Sequence, residues 1–332
     1  MPVSMIPPEH APAFLAANGW AGARIEPLAG DASFRRYFRV IDDAAARQAV
    51  LMDAPPQHED IRPFLAIADH LIAHGLRAPR PLARDLDAGL LLLEDFGDRR
   101  VNPLLADDAS RERQIYEQAI DTLVELHRRP LPPVPPYNEA ALIREARLFP
   151  EWYAPAAGLA VDEEGFDRAW RSAWGGALSR SEADPVLVLR DYHADNLMVL
   201  DDGGLGLLDF QDALAGHRAY DLVSLLQDAR REVSVELESA MIERYLDRAG
   251  IEDRAQFLAD YAVIGAQRHA KVLGIFTRLW KRDGKPHYLA FQPRNWALIE
   301  RCLAHPALRQ VRAWFDSNVP PSARSGAFRD IA

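Results

Sequence analysis

Two periods of apolar spacing run along the chain, and the change between them falls near residue 95. Before that point strand character dominates. Ala23 to Leu28, Phe34 to Ile41 and Gln48 to Met52 read as three strands, the first two joined by a turn at Gly30-Asp31-Ala32-Ser33. Phe64, Ile67, Ala68, Leu71 and Ile72 then recur at helical spacing and stop at Gly75, predicting a helix within Glu59 to His74. Leu82 to Leu86 and Gly89 to Leu93 return to strand character, and a short helix around Phe14 and Leu15 opens the chain.

Beyond Asp98 the period is helical. Ile115, Ala119, Thr122, Leu123 and Leu126 mark one helix, closed by a proline run at 130–136 that reads as an extended surface crossing. Phe166, Trp170, Ala173, Trp174 and Ala177 mark another, and their spacing assigns the aromatics to a core rather than to a sugar-stacking platform. Val233 to Ala249 and Asp253 to Lys281 continue as helices. One β interlude breaks this series. Val186 to Leu189 reads as a buried strand, and Leu197 to Leu200 with Leu205 to Leu208 as a hairpin turned by Asp201-Asp202-Gly203-Gly204. The pattern predicts an α+β chain with a small β-rich N-lobe over 1–95 and a larger helical C-lobe over 96–332.

The interlude carries the chemistry. Strand, loop and hairpin bring Asp191, Asn196 and Asp209 to one end of a small sheet, and these three oxygen-bearing side chains suit phosphoryl transfer from a nucleotide. A carboxylate can align a hydroxyl nucleophile and take its proton, which fits Asp191. Mg²⁺ on a triphosphate takes hard oxygen ligands, which fits Asn196 and Asp209. The offsets of 5 from Asp191 to Asn196 and 13 from Asn196 to Asp209 are those of the protein-kinase catalytic loop and its Asp-Phe-Gly metal site. The expectation is therefore a protein-kinase-like bilobal fold with ATP and Mg²⁺ held between the lobes. The turn between the first two strands would lie over the phosphates, with its backbone N–H groups (Gly30, Asp31, Ala32) and the Ser33 hydroxyl as donors.

The stretch from Asp191 to Tyr220-Asp221-Leu222 resembles the aminoglycoside phosphotransferase and choline kinase group. Gly30-Asp31-Ala32-Ser33-Phe34-Arg35-Arg36-Tyr37-Phe38-Arg39-Val40, Met52-Asp53-Ala54-Pro55-Pro56, Leu93-Glu94-Asp95-Phe96-Gly97-Asp98 and Arg190-Asp191-Tyr192-His193 are similar to one bacterial subgroup of it. That subgroup is the anomeric kinases of N-acetylmuramate and N-acetylglucosamine, and the likeness runs from about Gly30 to Trp280. It implies ATP-dependent phosphorylation of the C1 hydroxyl in the recycling of peptidoglycan sugars. It also implies adenine binding by backbone groups at Glu94 to Phe96 and a bracing role for Asp221 against the catalytic loop. Tyr192 and His193 are candidate substrate contacts beside Asp191; no activated-serine signature surrounds His193, which reads as a loop or substrate-contact residue. Asp221 reads equally well as a helix N-cap.

One departure matters. The third strand of protein kinases carries a lysine that meets the nucleotide phosphates, whereas Ala49-Val50-Leu51-Met52 ends in methionine. Arg35 and Arg36 are the candidate replacements. Alternation along a strand sends them to opposite faces, so only one of them can meet the nucleotide.

Composition narrows the partners. A net charge of −10 argues against nucleic acid or an anionic membrane, and the N-terminal residues lack the pattern of a secretion signal. The single cysteine, Cys302, excludes an internal disulfide, and together these predict a cytoplasmic protein; oligomeric state is not encoded legibly. Against this acidic background six Lys or Arg fall between Arg268 and Lys285 with one acid, Asp283. Arg268 and Lys271 are thus candidate contacts for an acidic sugar, or else partners of acids on a neighbouring helix. Two other readings stay open: a kinase of another acceptor, aminoglycoside- or choline-like, and a non-catalytic nucleotide-binding regulator.

Overall fold

A computed structural model describes residues 6–30, 34–324 and 328. Two compact units result: one comprises residues 1–104 with Asp195–Asp212, the other Leu105–Ala194 with 213–332.

The first unit is built on a five-stranded antiparallel sheet in the order β1-β2-β3-β5-β4: β1 Arg24–Gly30, β2 Arg36–Asp42, β3 Arg47–Asp53, β4 Pro81–Asp85 and β5 Leu90–Glu94. Side chains alternate across it. Phe38 and Val40, Ala49 and Leu51, and Leu90 and Leu92 form one face, which packs on Phe14 and Leu15 of α1 (Ala11–Ala17) and on Trp20. Arg47 covers Trp20, its guanidinium carbon 4.0 Å from the ring centroid. Helix α2 (Arg62–Ala73) ends at His74, where Gly75 takes a φ of 80° that a side chain would strain. These elements follow the hydrophobic pattern within a residue or two. Asp31, Ala32 and Ser33 of the expected phosphate turn lie outside the described residues.

The hairpin β7 (Leu197–Val199) and β8 (Leu205–Leu207) forms as expected, with Gly203 at φ 82° in its turn. It belongs with the first unit, although the boundary expected at 95 would assign it to the second. The reason is backbone pairing. The Leu207 N–H donates to the Arg77 carbonyl at 2.7 Å and the Val199 N–H to the Arg99 carbonyl at 2.8 Å. Arg77 also pairs with Asp202, and Arg99 with Asp201 at 2.6 Å. Helix α3 (Val101–Asp107) follows these contacts.

The second unit is helical: α4 Glu112–His127, α5 Glu139–Ala146, a π-turn at Phe149–Tyr153 leading into the short α6 Ala154–Ala156, and α7 Glu163–Ala183. After β6 (Val186–Val188) and β9 (Leu214–Gly216) come α8 Ala219–Leu226, α9 Val235–Ala249, α10 Arg254–Lys281, α11 Gln292–Leu303 and α12 Arg309–Asn318. Strand β9 was not anticipated. It pairs antiparallel with β6, and the proline run docks alongside it through the Ala215 N–H to the Pro135 carbonyl at 2.9 Å. Helix α10 is the axis of this unit and is buried through most of its length. Gly274 lets the backbone at Leu148 approach it, since a Cβ there would overlap the Leu148 carbonyl. Trp170 and Trp174 are fully buried, in the core where their spacing placed them. Among the described residues no helix is long and apolar enough to cross a membrane.

Candidate active site

In the first unit the hairpin explains why Asn196 and Asp209 meet. Asn196 precedes β7 and Asp209 follows β8 by two residues, so antiparallel register returns both to one end, and the Leu208 N–H bonds the Asn196 carbonyl at 2.9 Å. Asn196 Nδ2 lies 3.4 Å from Asp209 Oδ2. Asp209 is held in the left-handed region at φ 57°, a conformation costly for a residue with a side chain. The next residue anchors it, because Phe210 is fully buried and stacks on Phe64 with centroids 4.9 Å apart. Asp209 Oδ1 also accepts from Gln211 Nε2 at 2.9 Å and from Arg35 Nη2 at 3.2 Å. An amide oxygen and a carboxylate at the end of a hairpin are hard donors that fit a divalent ion sharing its other positions with phosphate and water.

These two residues line a cavity of about 430 Å³ whose other walls come from the same unit. Tyr37, Val50 and Leu93 form its sheet side, and Glu94 to Asp98 its edge. A volume of this size with apolar walls and a polar rim suits a small molecule with a flat ring. Gly206 makes room for the Phe96 ring, since a Cβ there would come within 2.6 Å of it. Of the two candidate cations, Arg35 is buried against Asp209, whereas Arg36 is committed to Asp53 on β3, Nε to Oδ2 at 2.8 Å. Met52 is buried at the position where protein kinases carry lysine.

The second unit holds Asp191. The chain leaves β6 through Arg190, which adopts φ 72°. Asp221, wholly buried on α8, accepts the Leu189 N–H at 2.6 Å and the Arg190 N–H at 2.9 Å, and Ser224 Oγ donates to the Arg190 carbonyl at 3.3 Å. Asp221 is thus tied to the loop backbone and is not the N-cap of α8, a position Arg218 occupies. Burial raises its carboxyl to about 7, against the pull of those two N–H groups.

The Asp191 side chain remains 42% exposed and lies 3.9 Å from Arg268 Nη2. Burial of the site opposes its ionisation, but the positive charges of Arg268 and Lys271, with His193 and Arg190, outweigh it and hold the carboxyl down at about 2. It is therefore an anion at every physiological pH.

The other candidate substrate contacts are buried. Tyr192 turns inward and donates its hydroxyl to the Ala119 carbonyl at 2.8 Å, because a loop residue flanked by β6 and α4 finds a partner in the core. His193 is buried beside Arg230, Nε2 to Nη1 at 3.3 Å. Lys271 is also buried, 3.1 Å from Glu145 Oε2 and 3.2 Å from the Tyr220 hydroxyl. Arg268 and Lys271 thus meet acids of their own unit: Asp191 and Glu145 on α5. Glu145, which also receives the Arg190 guanidinium and the Tyr137 hydroxyl, escaped the sequence reading. Nothing in its local spacing marks it; its partners lie 8, 45 and 126 residues away.

Comparison with known proteins bears on the family and the fold. The sequence pattern of a phosphotransferase enzyme family matches residues 24–259. An N-acetylmuramate/N-acetylglucosamine kinase of Caulobacter vibrioides is 39% identical, over 94% of this chain and 96% of its own length. A protein of the same name from Pseudomonas aeruginosa is 40% identical over 90% of this chain and 91% of its own. Among solved structures, a choline/ethanolamine kinase family protein from Mesorhizobium loti matches with a TM-score of 0.62 at 17% identity, covering 92% of this chain and 99% of that one. An aminoglycoside phosphotransferase from Streptomyces rimosus, solved with ADP and streptomycin, gives 0.54 at 20% identity, covering 78% of this chain and 99% of its own. At such identities these two structures speak for the fold, which is the protein-kinase-like α+β architecture expected from the sequence. With a family pattern spanning most of the sequence and relatives near 40% identity almost end to end, the chain belongs to the phosphotransferase enzyme family.

Proposed function

We propose that the protein is a sugar kinase that transfers the γ-phosphoryl group of ATP to the anomeric C1 hydroxyl of N-acetylmuramate and N-acetylglucosamine. The products would be sugar 1-phosphates, and the setting the recycling of peptidoglycan sugars. The observation that carries the acceptor class is the identity of 37–40% to four curated kinases bearing those substrates' names, over 80–94% of this chain. The division of labour by unit follows from the residues. The cavity of the first unit takes the nucleotide, and Asn196 and Asp209 would hold Mg²⁺, which neutralises phosphate charge when bound. Arg35, buried beside Asp209, is the cation we assign to the phosphates in place of the missing strand lysine. The second unit supplies Asp191 and the acceptor side.

A carboxylate held near 2 is a weak proton acceptor, so Asp191 serves chiefly to align the C1 hydroxyl and receives its proton late, once phosphoryl transfer is well advanced. Asp221 keeps the backbone of that loop in place. Arg268 keeps Asp191 ionised and directed, a reading that replaces direct carboxylate binding by Arg268 and Lys271.

ADP release should be measured across a panel of N-acetylmuramate, N-acetylglucosamine, an aminoglycoside and choline, with reducing-end content followed in parallel. Turnover of the two amino sugars with stoichiometric loss of reducing ends is expected, because C1 phosphorylation blocks ring opening. Product that keeps its reducing end would move the phosphate to another hydroxyl, and turnover of choline or the aminoglycoside alone would reassign the acceptor. Asp191→Asn should lower kcat by about 10²–10⁴ with modest change in KM.

A further inference from the structure

Across the first sheet Arg39 on β2 stands opposite Val50 on β3, and Val50 opposite Leu93 on β5. Directly opposed residues share a face, and Val50 and Leu93 line the cavity. Arg39 is the charged member of this row, and it reaches the segment that follows β5. Its Nε donates to Asp95 Oδ2 at 2.7 Å, and its Nη2 to Asp95 Oδ1 and to the Gly97 carbonyl, both at 3.3 Å. Its terminal nitrogens also meet Asp98 at 3.1 and 2.9 Å. Asp95 Oδ1 in turn accepts the Gly97 N–H at 2.8 Å, closing a turn in which Gly97 has φ 77°.

The two acids are not equivalent. Side-chain exposure is 2% for Asp95 and 77% for Asp98, so the Asp98 pair is screened by water and salt while the Asp95 pair is a buried fork on a carboxylate. Glu94 to Asp98 all line the cavity, and Arg39, which is not among its lining residues, bonds Asp95 and Gly97 of that segment.

We propose that Arg39 is a positioning residue for the nucleotide. Through Asp95 it fixes the Glu94–Asp98 backbone in the shape that offers its N–H and C=O groups to a purine, and so sets base affinity and base choice without touching the ligand. The inference rests on the nucleotide reading of this cavity. A segment containing a left-handed glycine has freedom that would otherwise be lost on binding, and the latch removes that freedom beforehand. Lysine cannot replace arginine in it, because a point charge does not reproduce the planar fork.

The test is steady-state kinetics of full-length Arg39→Gln and Arg39→Lys, with ATP and GTP as donors, alongside calorimetric binding of Mg–ADP. The expected result is a KM for ATP raised on the order of tenfold in both variants and a reduced preference for ATP over GTP, with KM for the sugar within about twofold of wild type. Asp95→Asn should reproduce the pattern. A purely structural role would lower the melting temperature and leave the ratio of the two KM values alone, and that outcome overturns the proposal. Should Arg39→Gln fail to fold, Arg39→Lys decides, since it keeps the charge and the aliphatic stem; an unchanged KM for ATP in that variant likewise overturns it. Wild-type protein that binds no Mg–ADP would instead remove the nucleotide reading itself, a result distinguishable from failure of the latch.

Discussion

Asp191 and Asp221 show how one small region can push two carboxyls in opposite directions. Asp191 is surrounded by cations and held near 2, while at Asp221 burial outweighs the two backbone N–H donors and the charge of Arg268, and the carboxyl rises to about 7. An unfolded aspartate titrates near about 3.9, so between pH 4 and 7 the folded protein retains a proton on Asp221 that the unfolded chain has lost. The stability contributed by this group is therefore present at low pH and lost as pH rises through about 7. Denaturant unfolding of wild type and Asp221→Asn from pH 5 to 8 should show the wild type losing stability relative to the variant as pH increases. Parallel curves would mean that Asp221 titrates at its ordinary value.

Elements were legible where the cause was local and opaque where it was not. The apolar segments of β2, β3 and β5 and the helical stripes of α4 and α7 announced themselves, because each is a pattern read over a few residues. So did the hairpin, from Asp201-Asp202-Gly203-Gly204. Strand β9 is three residues long and exists because β6 and the proline run flank it, so no window of its own sequence reveals it. The allegiance of the hairpin to the first unit depends on Arg77 and Arg99, more than 100 residues upstream of their partners. Asp191, Asn196 and Asp209 stand out as candidates because the spacing that singles them out lies within one stretch. Arg39 with Asp95, and Glu145 with Lys271, were not, since ion pairs across 56 and 126 residues leave no local trace.

Gly274 gives a prediction at the same scale. The backbone at Leu148 fills the space a side chain would need, and backbone cannot rotate aside. Gly274→Ala should therefore destabilise the protein by about 2–4 kcal/mol despite the better helix propensity of alanine, as measured by chemical denaturation. A variant as stable as wild type would show that the π-turn shifts freely along α10.

At the scale of the whole molecule, charge is distributed by sorting and not by average. A chain of net charge −10 places its cations where anions must be met: Arg35 beside Asp209, Arg268 beside Asp191, and Lys271 inside the second unit against Glu145. Binding of Mg–ADP to the folded state alone should raise the melting temperature by a few degrees at a hundredfold excess over Kd, equivalent to about 2.7 kcal/mol. Chelation of the metal, or Asp209→Asn, should abolish most of that shift in differential scanning fluorimetry. A shift indifferent to both would separate nucleotide binding from the Asn196–Asp209 pair.

The buried Met52 has a practical corollary. The chain has only three lysines, at 271, 281 and 285, so the first unit contains no lysine side chain. Acylating ATP analogues that tag nucleotide pockets through a strand lysine will pass this enzyme by in a labelling survey of a proteome. Dicarbonyl reagents that condense with guanidinium groups are the chemistry suited to a site whose cation is arginine.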